Sequence, residues 1–138
     1  MTKQQFADLI KKFSADYSRL FLKIKDKSAQ IVPFELNRPQ KKILAIYEKA
    51  VAEGRLLRFI ILKARQEGVS TFWQAVMFHR SSTGFNRKGQ TVAQDLKAAG
   101  NLFEMIKRFY DQLPVEMQPR VEHSNEKKLS FSALKSSL

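Results

Sequence analysis

The chain of 138 residues has no cysteine and only two histidines, His79 and His123. Disulfides and thiolate chemistry are therefore excluded, and two histidines so far apart, with no ligand at metal spacing beside them, make no zinc motif. Acidic residues are scarce: 13 Asp and Glu stand against 25 Lys and Arg, a net charge of +12. No apolar run approaches the roughly 18 residues needed to cross a bilayer, and Met1-Thr2-Lys3-Gln4-Gln5 lacks a signal-peptide core. No membrane role and a cytoplasmic location are expected. Internal repeats and low-complexity segments are lacking as well.

What is present fits one domain with a real core, or a piece of one, since 43% of the residues are hydrophobic. The cationic excess points to a polyanionic partner, because a basic surface gains by releasing counterions from phosphates. Residues 1–58 hold 13 basic and 6 acidic groups and residues 59–138 hold 12 and 7, so the excess is spread along the chain. A basic solvated face without a nucleic-acid role has the same composition, and charge alone does not separate the two.

Apolar residues from Phe6 to Phe21 recur at helical spacing and predict one amphipathic helix over the first twenty residues. Asp26-Lys27-Ser28-Ala29 lies between short apolar runs and predicts a hairpin turn. Asn37 followed by Gln40 at the third helical position forms a capping-box pattern, opening a helix with Ile43, Leu44, Tyr47 and Val51 inward and Gly54 at its end. A later helix is expected to bury Leu96, Leu102, Phe103, Ile106 and Tyr110 before Leu113-Pro114 stops it. A short strand is expected near Leu129, and residues 81–89 and 120–128 are the expected mobile loops.

Between the second helix and Phe72 lies the most informative stretch. Phe59-Ile60-Ile61-Leu62 has the composition of a strand buried on both faces, and Lys63-Ala64-Arg65-Gln66-Glu67-Gly68-Val69-Ser70-Thr71 follows as a basic turn and helix start. A second strand at Thr91 to Ala93 would complete a βαβ unit, with a phosphate site at the carboxyl edge of a parallel sheet. Compared with the ordinary phosphate-binding loop, Gly68 and Ser70 keep their places, Val69 stands where lysine is expected, and Lys63 where the first glycine is expected. One reading is a core strand ending in a charged turn, with Ser70 or Thr71 as a helix cap. The other has Lys63 reaching the same phosphate oxygens from the start of the loop.

The arrangement resembles the large subunit of the terminase of tailed bacteriophages, the ATP-driven DNA-packaging motor. In that family a strand is followed by Lys-x-Arg-Gln-x-Gly-x-Ser/Thr, and Lys63, Arg65, Gln66, Gly68 and Ser70 fall on it one for one. The segment from Lys23 to Gln40, ending Pro33-Phe34-Glu35-Leu36-Asn37-Arg38-Pro39-Gln40, is similar to the family's entry hairpin and its Pro-Phe-x-Leu-Asn-x-x-Gln motif. Gly89 to Asp95 and Leu102 to Ile106 resemble its next strand and helix, so the likeness spans residues 20–131.

That resemblance implies an α/β fold, a P-loop NTPase-type parallel sheet flanked by helices. It would be incomplete, with an N-terminal helix and hairpin over residues 1–36 and the front of the ATPase domain over 37–138. The implied ligands are ATP and Mg²⁺. Lys63 would meet the β/γ-phosphates, the backbone from Gln66 through Gly68 and Val69 to Ser70 would cradle them, and the Ser70 hydroxyl would ligate Mg²⁺. Thr71 stands beside it as a helix residue or a secondary ligand. Gln40 would either close the capping box or read adenine with its amide, and Arg65 would either stabilise transition-state charge or pair on the surface with Glu67. Implied partners are double-stranded DNA, the capsid portal, the small terminase subunit and further copies in the motor.

No apolar strand ending in Asp-Glu follows residue 71, and hydrolysis needs one to hold Mg²⁺ and polarise water. The chain is therefore expected to be an N-terminal piece that binds ATP without turning it over, lacking also the family's nuclease domain. Two alternatives stay open: a basic nucleic-acid-binding module with a vestigial loop, and the front of a helicase-like ATPase.

Overall fold

Capping residues divide the N-terminal region into two helices where hydrophobic spacing predicts one. The computed structural model describes residues 2–125 and 127–138, leaving Met1 and Glu126, the latter within the expected 120–128 loop, outside the described residues. Thr2 caps α1 (Lys3–Lys11), and its capping box is completed by Gln5. Ser14 accepts from the Tyr17 N–H and opens α2 (Ala15–Phe21). The break turns Phe13 into the core, where it is 1% exposed, and so corrects the single helix.

The expected hairpin forms as β1 (Lys23–Lys25) and β2 (Ile31–Pro33), antiparallel with Ile24 opposite Val32. Asp26 Oδ1 accepts from the N–H groups of Ser28 and Gln30, both at 2.8 Å, and closes the turn. Asn37 and Gln40 cap α3 (Arg38–Ala52) as the spacing predicts. Its inward face is Leu44, Tyr47 and Ala50, and Val51 is exposed instead of buried. The chain leaves α3 through Gly54, whose φ of 65° suits a glycine.

Two helices carry most of the remaining core. α4 (Val69–Thr83) buries Phe72, Ala75, Val76 and His79, and it continues through Thr83 into the stretch expected as a loop. α5 (Leu96–Asp111), capped by Asp95, packs against α4 with Ile106 and Phe109 fully inward. Leu96 is 83% exposed, so the buried face begins later along the helix than its periodicity suggests. Phe109 stacks on Phe34 at 6.2 Å and meets Phe78 at 5.9 Å, joining the chain after the hairpin to both helices.

The structure is thus mixed α/β, with five α-helices and two small antiparallel sheets among the described residues. The second sheet, β3 (Val121–Ser124), β4 (Leu129–Phe131) and β5 (Ser136–Ser137), includes the strand expected near Leu129 and turns part of the expected 120–128 loop into strand. The strands expected at 59–62 and 91–93 do not form, nor does the βαβ unit built on them. Strand geometry needs a hydrogen-bonded neighbour, and neither segment has one. Residues 59–62 run as coil with Phe59 against Trp73, ring centroids 5.2 Å apart, and with Ile60 and Leu62 fully exposed. None of the helices of the described residues is long and apolar enough to cross a membrane.

His79 connects the N-terminal helices to α4. Its Nε2–H donates to the Ile10 carbonyl at 2.7 Å, and its ring meets Tyr17 edge-on at 4.6 Å. Its Nδ1 is buried and has no partner among the described residues. Burial holds the imidazole below its usual titration range, with the Ile10 carbonyl opposing and Arg80 adding to the effect. Because the folded state resists a proton that the unfolded chain accepts, the stability His79 contributes is present above about pH 6.5 and is lost as pH falls toward its lowered folded pKa. Urea unfolding followed from pH 7.5 to 5 should show this loss, at most about 1.4 kcal/mol per pH unit, with a flatter profile for His79→Gln. The same slope in both proteins would assign the acid sensitivity to other groups.

Candidate phosphate-binding site

The segment from Lys63 to Thr71 is built around the start of α4. The capping box of α3 extends to this loop through the amide hydrogens it leaves over. Within the box, Asn37 Oδ1 accepts from the Gln40 N–H at 3.0 Å and Gln40 Oε1 accepts from the Asn37 N–H at 2.9 Å. Asn37 Nδ2 then donates to the Glu67 carbonyl at 3.1 Å, and Gln40 Nε2 to the Gly68 carbonyl at 2.7 Å. One helix start thus holds the two peptide groups that precede another.

Those contacts set the orientation of the loop. Gln66 and Gly68 both adopt left-handed conformations, with φ of 61° and 69°. Gly68 is the N-cap of α4 and supplies no side-chain hydrogen bond. The first N–H groups of a helix have no partner within it, so those of Val69, Ser70 and Thr71 are left at the positive end of the α4 dipole without a capping oxygen. The first turn also carries no acidic residue.

The side chains sort by burial. Val69 is 5% exposed and anchors the helix start in the core. Thr71 is half-buried, and its hydroxyl contacts Met105 Sδ of α5 at 3.7 Å, while Ser70 is exposed and its hydroxyl has no partner among the described residues. Ser70 is accordingly the available hydroxyl and Thr71 a packing residue. Lys63, Arg65 and Gln66 are exposed, and Lys63 Nζ donates to the neighbouring Ala64 carbonyl at 3.2 Å. Neither Lys63 nor Arg65 is in an ion pair among the described residues, so the alternative of an Arg65 to Glu67 bridge is not formed.

For Gln40 the capping arrangement is the one observed. Reading adenine needs Oε1 and Nε2 together, and at 3% exposure both are engaged with backbone. The role of Asn37 in the loop was not apparent from sequence, where it served only as a cap. The available signal was its chemistry: a cap of Ser or Asp has no amide hydrogens left to donate across to another segment. Among the described residues no cluster of three or more His, Asp or Glu side chains is placed to hold a metal ion. No family model matches the chain, and no curated protein matches it.

Proposed function

We propose that the chain is the nucleotide-binding front part of an ATPase of the terminase large-subunit type, binding the phosphates of ATP at the N-terminus of α4. The observation that carries the proposal is the left-handed Gly68 start of α4 with no side-chain cap, clamped by Asn37 and Gln40 and flanked by two cations, Lys63 and Arg65, that form no ion pair among the described residues. Oriented N–H groups and a helix dipole favour an anion there, and Lys63 supplies the charge that the ordinary loop takes from a later lysine. Ser70 is the residue fitted to meet Mg²⁺ that arrives with the nucleotide, whose own phosphates would provide most of the ion's oxygen ligands. Arg65 lies on the same exposed turn and is assigned to charge developing at the γ-phosphate. Gln40 enters the proposal as the residue that holds Gly68 in place.

In the same reading, residues 59–62 belong in a parallel sheet whose neighbouring strands are supplied from outside these 138 residues. The outward exposure of Ile60 and Leu62 supports that assignment. Double-stranded DNA, the portal, the small subunit and other motor copies follow from the terminase resemblance.

Titration calorimetry with Mg-ATP tests the site. Lys63→Ala is expected to weaken binding about ten- to hundred-fold, the value of a charge-assisted hydrogen bond, and phosphate release by the wild-type chain should stay at the background rate. Equal affinity in the two proteins would sink the relocated-lysine assignment. The net charge of +12 favours a second reading, a basic nucleic-acid-binding module. That reading predicts DNA affinity falling steeply with salt and indifferent to ATP.

A further inference from the structure

We propose a second ligand site, independent of the phosphate loop: the cavity between α4, the 88–91 segment and α5 takes an amphipathic organic anion, an acidic headgroup on an aliphatic body. The cavity has a volume of about 820 Å³, within the range of small-molecule sites. Met77, Ala99, Phe103, Ile106 and Leu138 give it an apolar lining in which aliphatic side chains outnumber the one aromatic ring. Such a wall suits an alkyl chain better than a stacked base.

The polar groups select the charge of the occupant. Lys88, Lys107 and Lys127 line the same cavity against a single acidic side chain, Glu104, and none of the four side chains is in an ion pair among the described residues. Three ammonium groups outnumber the Glu104 side chain and the terminal carboxylate of Leu138, which leaves a net positive field over an apolar recess, complementary to a carboxylate on a hydrocarbon tail.

Two glycines shape the recess. A side chain at Gly89 would collide with Leu138, its Cβ only 2.6 Å from Leu138 Cδ2, and the Gly89 N–H donates to the Ser137 carbonyl at 2.9 Å. Gly89 thereby lets this segment close tightly against the end of the chain and form one wall. Gly100 lies within α5, where glycine is an unfavourable helix residue. A Cβ built there meets nothing within 4 Å, so the space beside it is open.

The experiment is calorimetric titration of the whole chain with decanoate below its micellar concentration, set against neutral 1-decanol, inorganic phosphate and ATP. Decanoate is expected to bind at one site at least ten-fold more tightly than decanol, with no competition from phosphate or ATP. Gly100→Leu should fill the cavity, keep the helical circular-dichroism signal and lose at least ten-fold in decanoate affinity. Lys88→Gln combined with Lys107→Gln, which alters only the cavity's cationic groups, should lower decanoate affinity several-fold and leave decanol unchanged. Equal binding of decanoate and decanol, displacement of decanoate by ATP, or unchanged decanoate affinity in either variant would overturn the assignment.

Discussion

Phe72→Ala is expected to lower the unfolding free energy by about 3–5 kcal/mol, the cost of deleting a buried aromatic side chain and leaving its cavity. Phe72 is fully buried one turn into α4, with its ring edge-on to Phe13 at 5.7 Å and to Trp73 at 5.3 Å. Phe13 comes from the break between α1 and α2, so the vacated space would separate the N-terminal helices from α4. Rigid aromatic neighbours on two sides limit collapse into the cavity, which places the cost in the upper part of the range for core substitutions. Small domains have about 5–15 kcal/mol of net stability, so the variant should be partly unfolded at modest urea concentrations. Phe85→Ala is the control: Phe85 is 69% exposed, and its loss should stay within about 0.5 kcal/mol. Comparable midpoints for the two variants in urea unfolding would show that the core is not centred on Phe72.

Gly68→Ala is expected to cost about 2–5 kcal/mol and to weaken nucleotide binding with it. Two effects combine. A residue with a side chain pays about 1–2 kcal/mol in the left-handed region that Gly68 occupies. In addition, the new Cβ would stand 2.7 Å from Gln40 Nε2. A long side chain in solvent would move aside, but Gln40 is buried and held at both ends of its amide. Displacing it breaks the bond to the Gly68 carbonyl and disturbs the cap of α3, adding about 1–3 kcal/mol.

Gly54 separates these effects. Its φ of 65° is nearly that of Gly68, and nothing lies within 4 Å of a Cβ built there. Gly54→Ala therefore reports the backbone effect alone, about 1–2 kcal/mol. The difference between the two alanine variants measures the clamp on the loop. Equal losses in chemical denaturation would mean that Gln40 yields freely and that the loop is not held from α3.

The elements legible in the sequence are those whose hydrogen-bond partners lie within a few residues. Asn37 and Gln40 cap α3 because both groups of the box sit three residues apart, and Asp26 closes its turn with N–H groups two and four residues on. The start of α4 was legible only in part: the capping reading put Ser70 or Thr71 at the N-cap, whereas Gly68 takes that place with no side-chain hydrogen bond and Ser70 and Thr71 lie inside the helix. Ser14 was readable as a cap in principle, but continuous hydrophobic spacing masked it, and only the inward turn of Phe13 shows that the helix is broken there.

In the candidate site, residue identity already marked Lys63, Arg65, Gly68 and Ser70, whereas Thr71 and Gln40 needed their surroundings. Thr71 is withdrawn by Met105, 34 residues away, and Gln40 by Gly68, 28 residues away. No local pattern reports contacts at such separations. The bonds of Asn37 and Gln40 to the loop likewise depend on α3 and α4 being brought side by side.

By itself the sequence determined the cap of α3, the hairpin turn, much of the buried face of α5, the cationic excess and the residues of the basic loop, because propensity, charge and short-range hydrogen bonding act locally. Only the tertiary structure decided that Phe59 to Leu62 finds no strand partner among the described residues, that the small C-terminal sheet is antiparallel, and that Asn37 and Gln40 hold the loop in front of α4. A strand or a clamp exists through a partner distant in sequence, and which partner arrives is settled by packing of the whole chain.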